Sequence, residues 1–355
     1  MTIVYILAAV LLFGFLIFIH ELGHFMTAKA CNVRVNEFAL GMGPALWQKQ
    51  KGETTYSLRA FPVGGYCAME GEEEDSEDPR ALNHQGFWAK LLIFVAGAAM
   101  NFLTGLLIVL VLYSGAKAFY MPTIMGFADG CPLQGDLQVG DTLYAIDGER
   151  VYVYSDVSLL FSLNQTDIFD LTVLRDGERV TLRDFPMERN TYIDQAGNSY
   201  TGYGLYFGAE EATFGSRLGY SWRNTMDFVR MVRMSLKMLL TGEAGVKDLS
   251  GPVGIVSTIT EVGQQSGSFR VALENIAYFG ALIAVNIAVM NLLPIPALDG
   301  GRIFLMLVTW VIESITHKKL DPKYEAYIHT GGMLLLLLLM FYVMFHDIVR
   351  VFFGG

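Results

Sequence analysis

IVYILAAVLLFGFLIFIHELGHFMTA, residues 3–28, decides how this chain is read. The run from Ile3 to Ile19 holds no charged residue, and His20-Glu21-Leu22-Gly23-His24 follows it without a break. A helix sets His20 and His24 one turn apart on one face, so both imidazoles can ligate one metal ion. Glu21 lies beside them, where it can take a proton from a metal-activated water. Apolar residues continue through Phe25, Met26 and Ala28. The motif therefore reads as part of a membrane span, where ionisable side chains are expensive and mark function. A chance match on a structural helix is the competing reading. Two histidines and a glutamate within an apolar span weigh against it.

Composition agrees with a membrane protein that has a soluble portion. Hydrophobic residues make up 53% of the 355, and mean hydropathy is +0.39. The length suits about two globular domains. A net charge of -10, with no basic patch interleaved with aromatics, argues against a nucleic-acid partner. Much of the acidic excess falls between Glu70 and Asp78, which reads as a solvated loop. Cys31, Cys67 and Cys131 lack metal-ligand spacing and read as packed or free thiols. The first apolar run has no Lys or Arg before it and no small-residue cleavage site after it. It is expected to be a retained transmembrane helix and not a signal peptide.

Four segments are long and apolar enough to span a bilayer: Ile3 to Ala28, Trp88 to Ala116, Ile276 to Leu298 and Tyr327 to Phe345. The second carries Gly97, Ala98, Ala99 and Gly105, small residues suited to close helix packing. Basic residues cluster in the first loop (Lys29, Arg34, Lys49, Lys51, Arg59, Arg80) and in the short third loop (Lys318, Lys319, Lys323). The expected topology therefore puts both loops in the cytoplasm, both termini outside, and the metal motif at the cytoplasmic end of its span.

Within the first loop, Asn32 to Leu40 and Thr54 to Phe61 alternate like strands, punctuated by Gly41, Gly43, Gly64 and Gly65. A small sheet close to the metal would offer an open edge to an extended substrate. A hairpin without a catalytic role fits the same spacing. The second loop, Phe119 to Phe207, reads as a small β-rich domain. Its runs Asp141 to Ile146, Phe169 to Leu174 and Arg179 to Leu182 are bounded by Asp147-Gly148 and Asp176-Gly177 turns. Tyr220 to Leu240 reads as an amphipathic helix rather than a fifth span.

A catalytic zinc usually has three protein ligands and one open position. The third ligand is sought in Asn291-Leu292-Leu293-Pro294-Ile295-Pro296-Ala297-Leu298-Asp299-Gly300-Gly301. Two prolines break the helix there, and two glycines would allow a sharp turn after Asp299, at the end of the third span. Irregular backbone at membrane depth is tolerated where it lines a cavity. An ordinary interfacial Asp is the alternative.

These motifs resemble the site-2 proteases, the intramembrane zinc metalloprotease family, in their bacterial form with one PDZ domain. The likeness extends over nearly the whole chain. It rests on His20 to His24, Gly41-Met42-Gly43-Pro44, Pro62-Val63-Gly64-Gly65-Tyr66, Ala96-Gly97 with Asn101, Ser250 to Gly254, and Asn291 to Gly301. Gly140-Asp141-Thr142-Leu143 to Ile146-Asp147-Gly148 resembles a PDZ strand and turn. Two departures stand out. Ala98 replaces the usual Pro after Ala96-Gly97, and Gly135-Asp136 precedes Leu137 in place of Ala-Gly.

The resemblance implies a polytopic α-helical membrane protein of four transmembrane helices, with a membrane-associated β-hairpin or sheet and an inserted β-rich PDZ domain. The expected divisions are 1–30, 31–87, 88–116, 117–208 (the PDZ domain), 209–268, 269–313, 314–326 and 327–355. It implies Zn²⁺ on His20, His24 and Asp299, Glu21 as the catalytic acid–base, and Asn291 with Gly41, Gly43, Gly64 and Gly65 in substrate binding. The expected partners are transmembrane-helix protein substrates and membrane lipid, for a monomer in the bacterial cytoplasmic membrane. Anti-sigma-factor-like proteins or remnant signal peptides are the expected substrates. A zinc-binding scaffold that does not cleave is a weaker reading, because structural zinc needs no Glu21. A metal transporter would need a polar path, to which the fourth span adds only His329 and His346, read as interfacial. His84 and His317 read as loop residues.

Overall fold

The structure, a computed structural model, describes residues 2–72, 74, 76–193, 197–245, 247, 249–317 and 322–353. In chain order come α1 (Thr2–Ala30), β1 (Val35–Lys51), β2 (Thr54–Met69), α2 (Phe87–Tyr113), β3 (Ala118–Phe127), β4 (Thr142–Ile146) and β5 (Glu149–Arg150). Next are α3 (Tyr154–Leu163), β6 (Ile168–Arg175), β7 (Glu178–Pro186), β8 (Asn190–Ile193), β9 (Ser199–Gly202) and β10 (Leu205–Glu211). The chain ends in α4 (Phe214–Thr241), α5 (Pro252–Gln265), α6 (Phe269–Asn291), α7 (Asp299–Thr316) and α8 (Pro322–Phe353). Two compact units result: Met1–Ile108 with Met231–Gly355, and Val109–Arg230.

Among the described residues, Thr2–Ala30, Phe87–Tyr113, Phe269–Asn291 and Tyr327–Arg350 are long and apolar enough to cross a membrane. A span needs about 20 residues, and these have 29, 27, 23 and 24. Leu11, Trp88, Leu107 and Leu335 are exposed on them. Helices that stay apolar on their outer faces suit lipid rather than water. The chain is a multi-pass membrane protein.

In the first unit, two clusters of buried side chains bracket the histidine motif along α1. Tyr5, Ala9 and Leu16 pack with Ile259 of α5 and Ile276, Ile283 and Ala284 of α6. Beyond the motif, Ala28 joins Val33, Val35 and Phe38, Cys67 and Met69 of β2, and Ile93 and Phe94 of α2. Phe38 also meets Phe18 and Phe25 of α1 at ring-centroid distances of 5.8 and 5.1 Å. The base of the β1–β2 hairpin is thereby seated against the helix that carries the motif.

The hairpin is longer than its alternation predicts. Antiparallel pairing runs from Val35↔Met69 to Lys51↔Thr54, through several register shifts. Gly41, Gly43 and Gly64 have φ of +85°, +84° and +85°, a region open to glycine at little cost. A Cβ at Gly41 would stand 2.6 Å from the Phe61 carbonyl oxygen. These bulged positions break the alternation without ending the ladder, which is why only its two straight limbs are visible in the sequence.

The third span also differs from expectation. It ends at Asn291, and Asp299 opens a separate helix, α7, instead of closing the span. Pro294 and Pro296 prevent helix continuation between them. The two glycines after Asp299 do not form a turn; both are helical. A Cβ at Gly300 would lie 2.3 Å from the Leu292 and Leu293 oxygens, and one at Gly301 would lie 2.1 Å from the Ile295 oxygen. They let the start of α7 press against the segment before it. The segment around Gly251 likewise becomes a helix, α5, with Pro252 at its first position.

The second unit contains an antiparallel sheet of order β10-β3-β4-β6-β7, with β5 paired to β4, and a separate β8–β9 hairpin. Ile124, Leu143, Ile146, Phe169, Leu171 and Val173 are buried. Asp147-Gly148 and Asp176-Gly177 all have positive φ, as tight hairpin turns require. Lys318 and Lys319 of the third loop lie outside the described residues.

Candidate metal centre

α1 carries His20 and His24 one turn apart, and their ring centroids stand 4.8 Å from each other. His24 is buried, and its Nδ1 lies 2.8 Å from the main-chain oxygen of Ile93 on α2. A carbonyl can only accept, so Nδ1 carries the hydrogen and Nε2 keeps a free lone pair. That Nε2 is 3.2 Å from Nε2 of His20 and 3.3 Å from Oδ2 of Asp299. His20 Nε2 and Asp299 Oδ2 are 3.2 Å apart. Three electron-pair donors thus converge, each on a different turn or helix.

Tetrahedral ligands about 2.0–2.1 Å from zinc lie about 3.3 Å from one another. The three observed separations match that spacing. Asp299 Oδ2 is buried without a hydrogen-bond partner, so the cluster is not completed by ordinary hydrogen bonds. Two imidazoles and one carboxylate are also the donor types that zinc takes in catalytic sites. The residues fit Zn²⁺. The His24–Ile93 bond is the kind of outer contact that fixes a ligand's tautomer and aim. Asp299, in the first turn of α7, is favoured by the positive end of that helix.

Close backbone approach makes the cluster possible. A Cβ at Gly23 would fall 2.5 Å from the Ala96 oxygen. One at Gly97 would fall 2.3 Å from His24 Nε2 and 2.7 Å from His20 Cε1. Gly97, visible in the sequence only as a small packing residue, borders the His20 and His24 rings themselves. The sequence signal was the Ala96-Gly97 pair. One helical turn further on, Asn101 is fully buried with both side-chain polar atoms unpartnered among the described residues.

An open cleft of about 860 Å³ exposes the cluster. His20, Glu21, His24, Asn291 and Asp299 all line it, and so does Gly65. A Cβ at Gly65 would sit 3.3 Å from Glu21 Cγ and 3.0 Å from the Ala39 oxygen, so bare backbone of β2 runs beside Glu21. Gly41, Gly43 and Gly64 are not among the lining residues; they shape the hairpin's bends. Cys67 lines the cleft, where burial pushes its thiol up and the Glu21 and Glu72 charges add to that.

The acidic stretch read as a solvated loop forms part of the cleft wall. Glu70 accepts from Asn36 at 2.7 Å and from Ser76 at 2.5 Å. Glu72 pairs with Arg302 of α7 and accepts from the Met69 N–H at 3.1 Å. Asp78 meets Arg34 at 3.2 Å. Asn36, Arg34 and Arg302 are distant in sequence from the acids they meet, so composition alone could not find them. Glu73 and Asp75 lie outside the described residues.

Comparison with known proteins agrees in extent with this site. A candidate zinc metalloprotease of Clostridium acetobutylicum is 36% identical over 348 residues, covering 97% of each chain. One of Fusobacterium nucleatum is 31% identical, covering 98% of this chain and 99% of its own. The regulator of sigma-W protease RasP of Bacillus subtilis is 26% identical, with 98% and 99% covered. The model of peptidase family M50 matches residues 8–339, from within α1 to within α8, so that His20, His24 and Asp299 all fall inside it. This chain belongs to peptidase family M50, the site-2 protease family.

Proposed function

We propose that this zinc-dependent metalloprotease cleaves the transmembrane segments of single-span membrane proteins, within the bilayer and near its cytoplasmic face. The observation that carries the proposal is the convergence of His20, His24 and Asp299, with both histidines and Glu21 on a helix long and apolar enough to span. Anti-sigma-factor-like proteins are one substrate class, in keeping with a relative named regulator of sigma-W protease; remnant signal peptides are the other, on the family resemblance. The Lys and Arg distribution supports cytoplasmic first and third loops and extracytoplasmic termini.

His20, His24 and Asp299 are assigned to hold the metal. Zinc bound there supplies Lewis acidity toward water and the scissile carbonyl. Glu21 takes a proton from the attacking water and returns it to the leaving amine. Asn291 hydrogen-bonds the backbone of the unwound substrate. A helical substrate hides its peptide bonds, so it has to be held extended. β2 belongs to a two-stranded sheet, and Gly65 to Met69 line the cleft, which supports strand addition there. The sheet unit within residues 117–208 is assigned as a PDZ domain on the extracytoplasmic side.

The test is Glu21→Gln, assayed for zinc content and for cleavage of a single-span substrate in reconstituted membranes. Zinc should be retained and cleavage lost. Normal turnover in the variant would overturn the assignment of Glu21.

A further inference from the structure

The segment that delivers Asp299 is held by a side chain from another helix. Between α6 and α7, Ala297 lies in the left-handed region at φ +75°. Residues with a Cβ occupy that region at a cost and stay there only where their surroundings hold them. Neighbouring N–H groups are satisfied locally: Ile295 to the Leu293 oxygen at 2.7 Å, Leu298 to that of Ile295 at 3.1 Å, and Gly301 to that of Leu298 at 3.0 Å. Ala297 instead donates to Nδ1 of His329 on α8, at 3.3 Å. Three residues along α8, Gly332 faces the same segment, and a Cβ there would lie 2.2 Å from that of Pro296. The fourth span therefore rests directly on the ligand-bearing segment.

We propose that His329 is a positioning residue for the metal centre. It holds Ala297 in its left-handed conformation and so presents Asp299 to His20 and His24. A backbone N–H can only donate, so Nδ1 of His329 is the unprotonated nitrogen of a neutral ring. Asp299 follows Ala297 by two residues, with the Gly301 N–H to Leu298 bond fixing the helix start between them. A change of backbone torsion at Ala297 would swing the carboxylate out of the cluster. In the sequence His329 reads only as an interfacial residue, because neither its partner nor the torsion it supports is local. The inference rests on the reading of His20, His24 and Asp299 as a zinc centre.

The experiment measures zinc affinity by chelator competition on the full chain in detergent, beside cleavage activity. The chains compared are the wild type, His329→Phe and His329→Asn, each with and without Ala297→Gly. Asn keeps an acceptor near the position of Nδ1, and Gly takes up a left-handed torsion without strain. His329→Phe should weaken zinc binding about tenfold, as loss of an outer contact does. His329→Asn should stay close to wild type, and Ala297→Gly should recover most of the loss in His329→Phe. If His329→Phe does not fold, His329→Ala, which adds no bulk, takes its place. Wild-type affinity in the Phe or Ala variant would overturn the proposal. So would an Asn variant as weak as either, or no recovery on adding Ala297→Gly. A wild-type chain that holds no zinc would overturn the metal-centre reading instead.

Discussion

His24 donates its Nδ1 hydrogen to the main-chain oxygen of Ile93, 2.8 Å away on α2. One bond fixes the tautomer, aims Nε2 at His20 and Asp299, and ties the two helices together beside the cluster. It requires α1 and α2 to approach more closely than side chains normally allow. Gly23 and Gly97 permit that approach.

Gly97→Ala should therefore weaken metal binding without unfolding the helix. The new Cβ would lie 2.3 Å from His24 Nε2, the atom that faces His20 and Asp299. Alanine otherwise favours a helix over glycine by about 1 kcal/mol. We expect zinc affinity to fall tenfold or more, in the range of about 10–100-fold seen when ligand geometry is disturbed, with helical content unchanged. Metal analysis and circular dichroism on the purified chain check both halves. A zinc-replete variant with wild-type turnover would show that the helices part at no cost.

Asp299→Ala should weaken zinc retention, because it removes one of three converging donors held 3.2 and 3.3 Å apart. Asp299→Glu or Asp299→His keeps a donor and should retain part of the metal. Metal stoichiometry after dialysis against a weak chelator separates the three variants. An Ala variant that keeps full stoichiometry would place the third ligand elsewhere.

The legible parts of this molecule are those that depend on local spacing. His20 and His24 meet because a helix repeats every 3.6 residues, and the apolar runs announce their spans by length. Asp299 was legible as a candidate because Pro294 and Pro296 mark a broken helix, yet its place at the start of α7 was not. That start is set by Gly300 and Gly301 pressing on the carbonyls of Leu292, Leu293 and Ile295, a contact visible only in three dimensions. The same limit hid the pairing of Glu72 with Arg302, 230 residues apart in the chain. In the hairpin, bulges at positive-φ glycines interrupt the alternation from which strands are read.

The second unit should lose stability in acid through Asp141. Its carboxylate is buried and receives Arg175 in a fork, with Nε to Oδ1 at 2.8 Å and Nη2 to Oδ2 at 2.7 Å. Burial alone would raise its pKa, but the bonds from Arg175 and the Gln138 N–H outweigh that and hold it below the usual carboxylate value. A depressed folded pKa contributes stability that is full above the unfolded value of about 3.9 and fades as pH falls through the folded one. Protection factors of the β4 and β6 amides, which divide out the intrinsic pH dependence of exchange, should therefore fall below about pH 4 in the wild type. In Arg175→Met they should already be low at pH 7 and change less with pH. Equal pH responses in the two chains would contradict the linkage.

Asp347 should matter to folding although it lies far from the motif in sequence. It is buried on α8, and its Oδ2 accepts from the Gly254 N–H at 2.8 Å, in the first turn of α5. A Cβ at Gly251 or Gly254 would stand 2.9 Å from that carboxylate, which accounts for both glycines. Asp347→Ala strands a helix-end N–H and should cost about 1–3 kcal/mol. Asp347→Asn keeps an acceptor and should cost less, losing chiefly the charge at the helix N-terminus. Thermal unfolding in detergent should rank wild type, Asn and Ala in that order. An Ala variant as stable as wild type would remove the cap from the account.

The last prediction separates substrate access from chemistry. Among the described residues the grouping able to hold a metal is His20, His24 and Asp299, all in the first unit, so the sheet unit need supply no ligand. It can be excised cleanly, because Ala118 of β3 and Glu211 of β10 are paired neighbours in the ladder. Opposed residues in such a ladder sit about 4.5–5.5 Å apart, a gap that an Asn-Gly turn closes. Residues 119–210 replaced by Asn-Gly should leave zinc content and cleavage of a short, pre-trimmed substrate near wild type. If the unit acts as a size filter, cleavage of a matched substrate with a folded ectodomain should rise. A fall confined to the short substrate would instead mark a unit that recruits trimmed ends. The deletion and the full chain are compared on both substrates at equal expression, and an unchanged ratio between the two would exclude the filter.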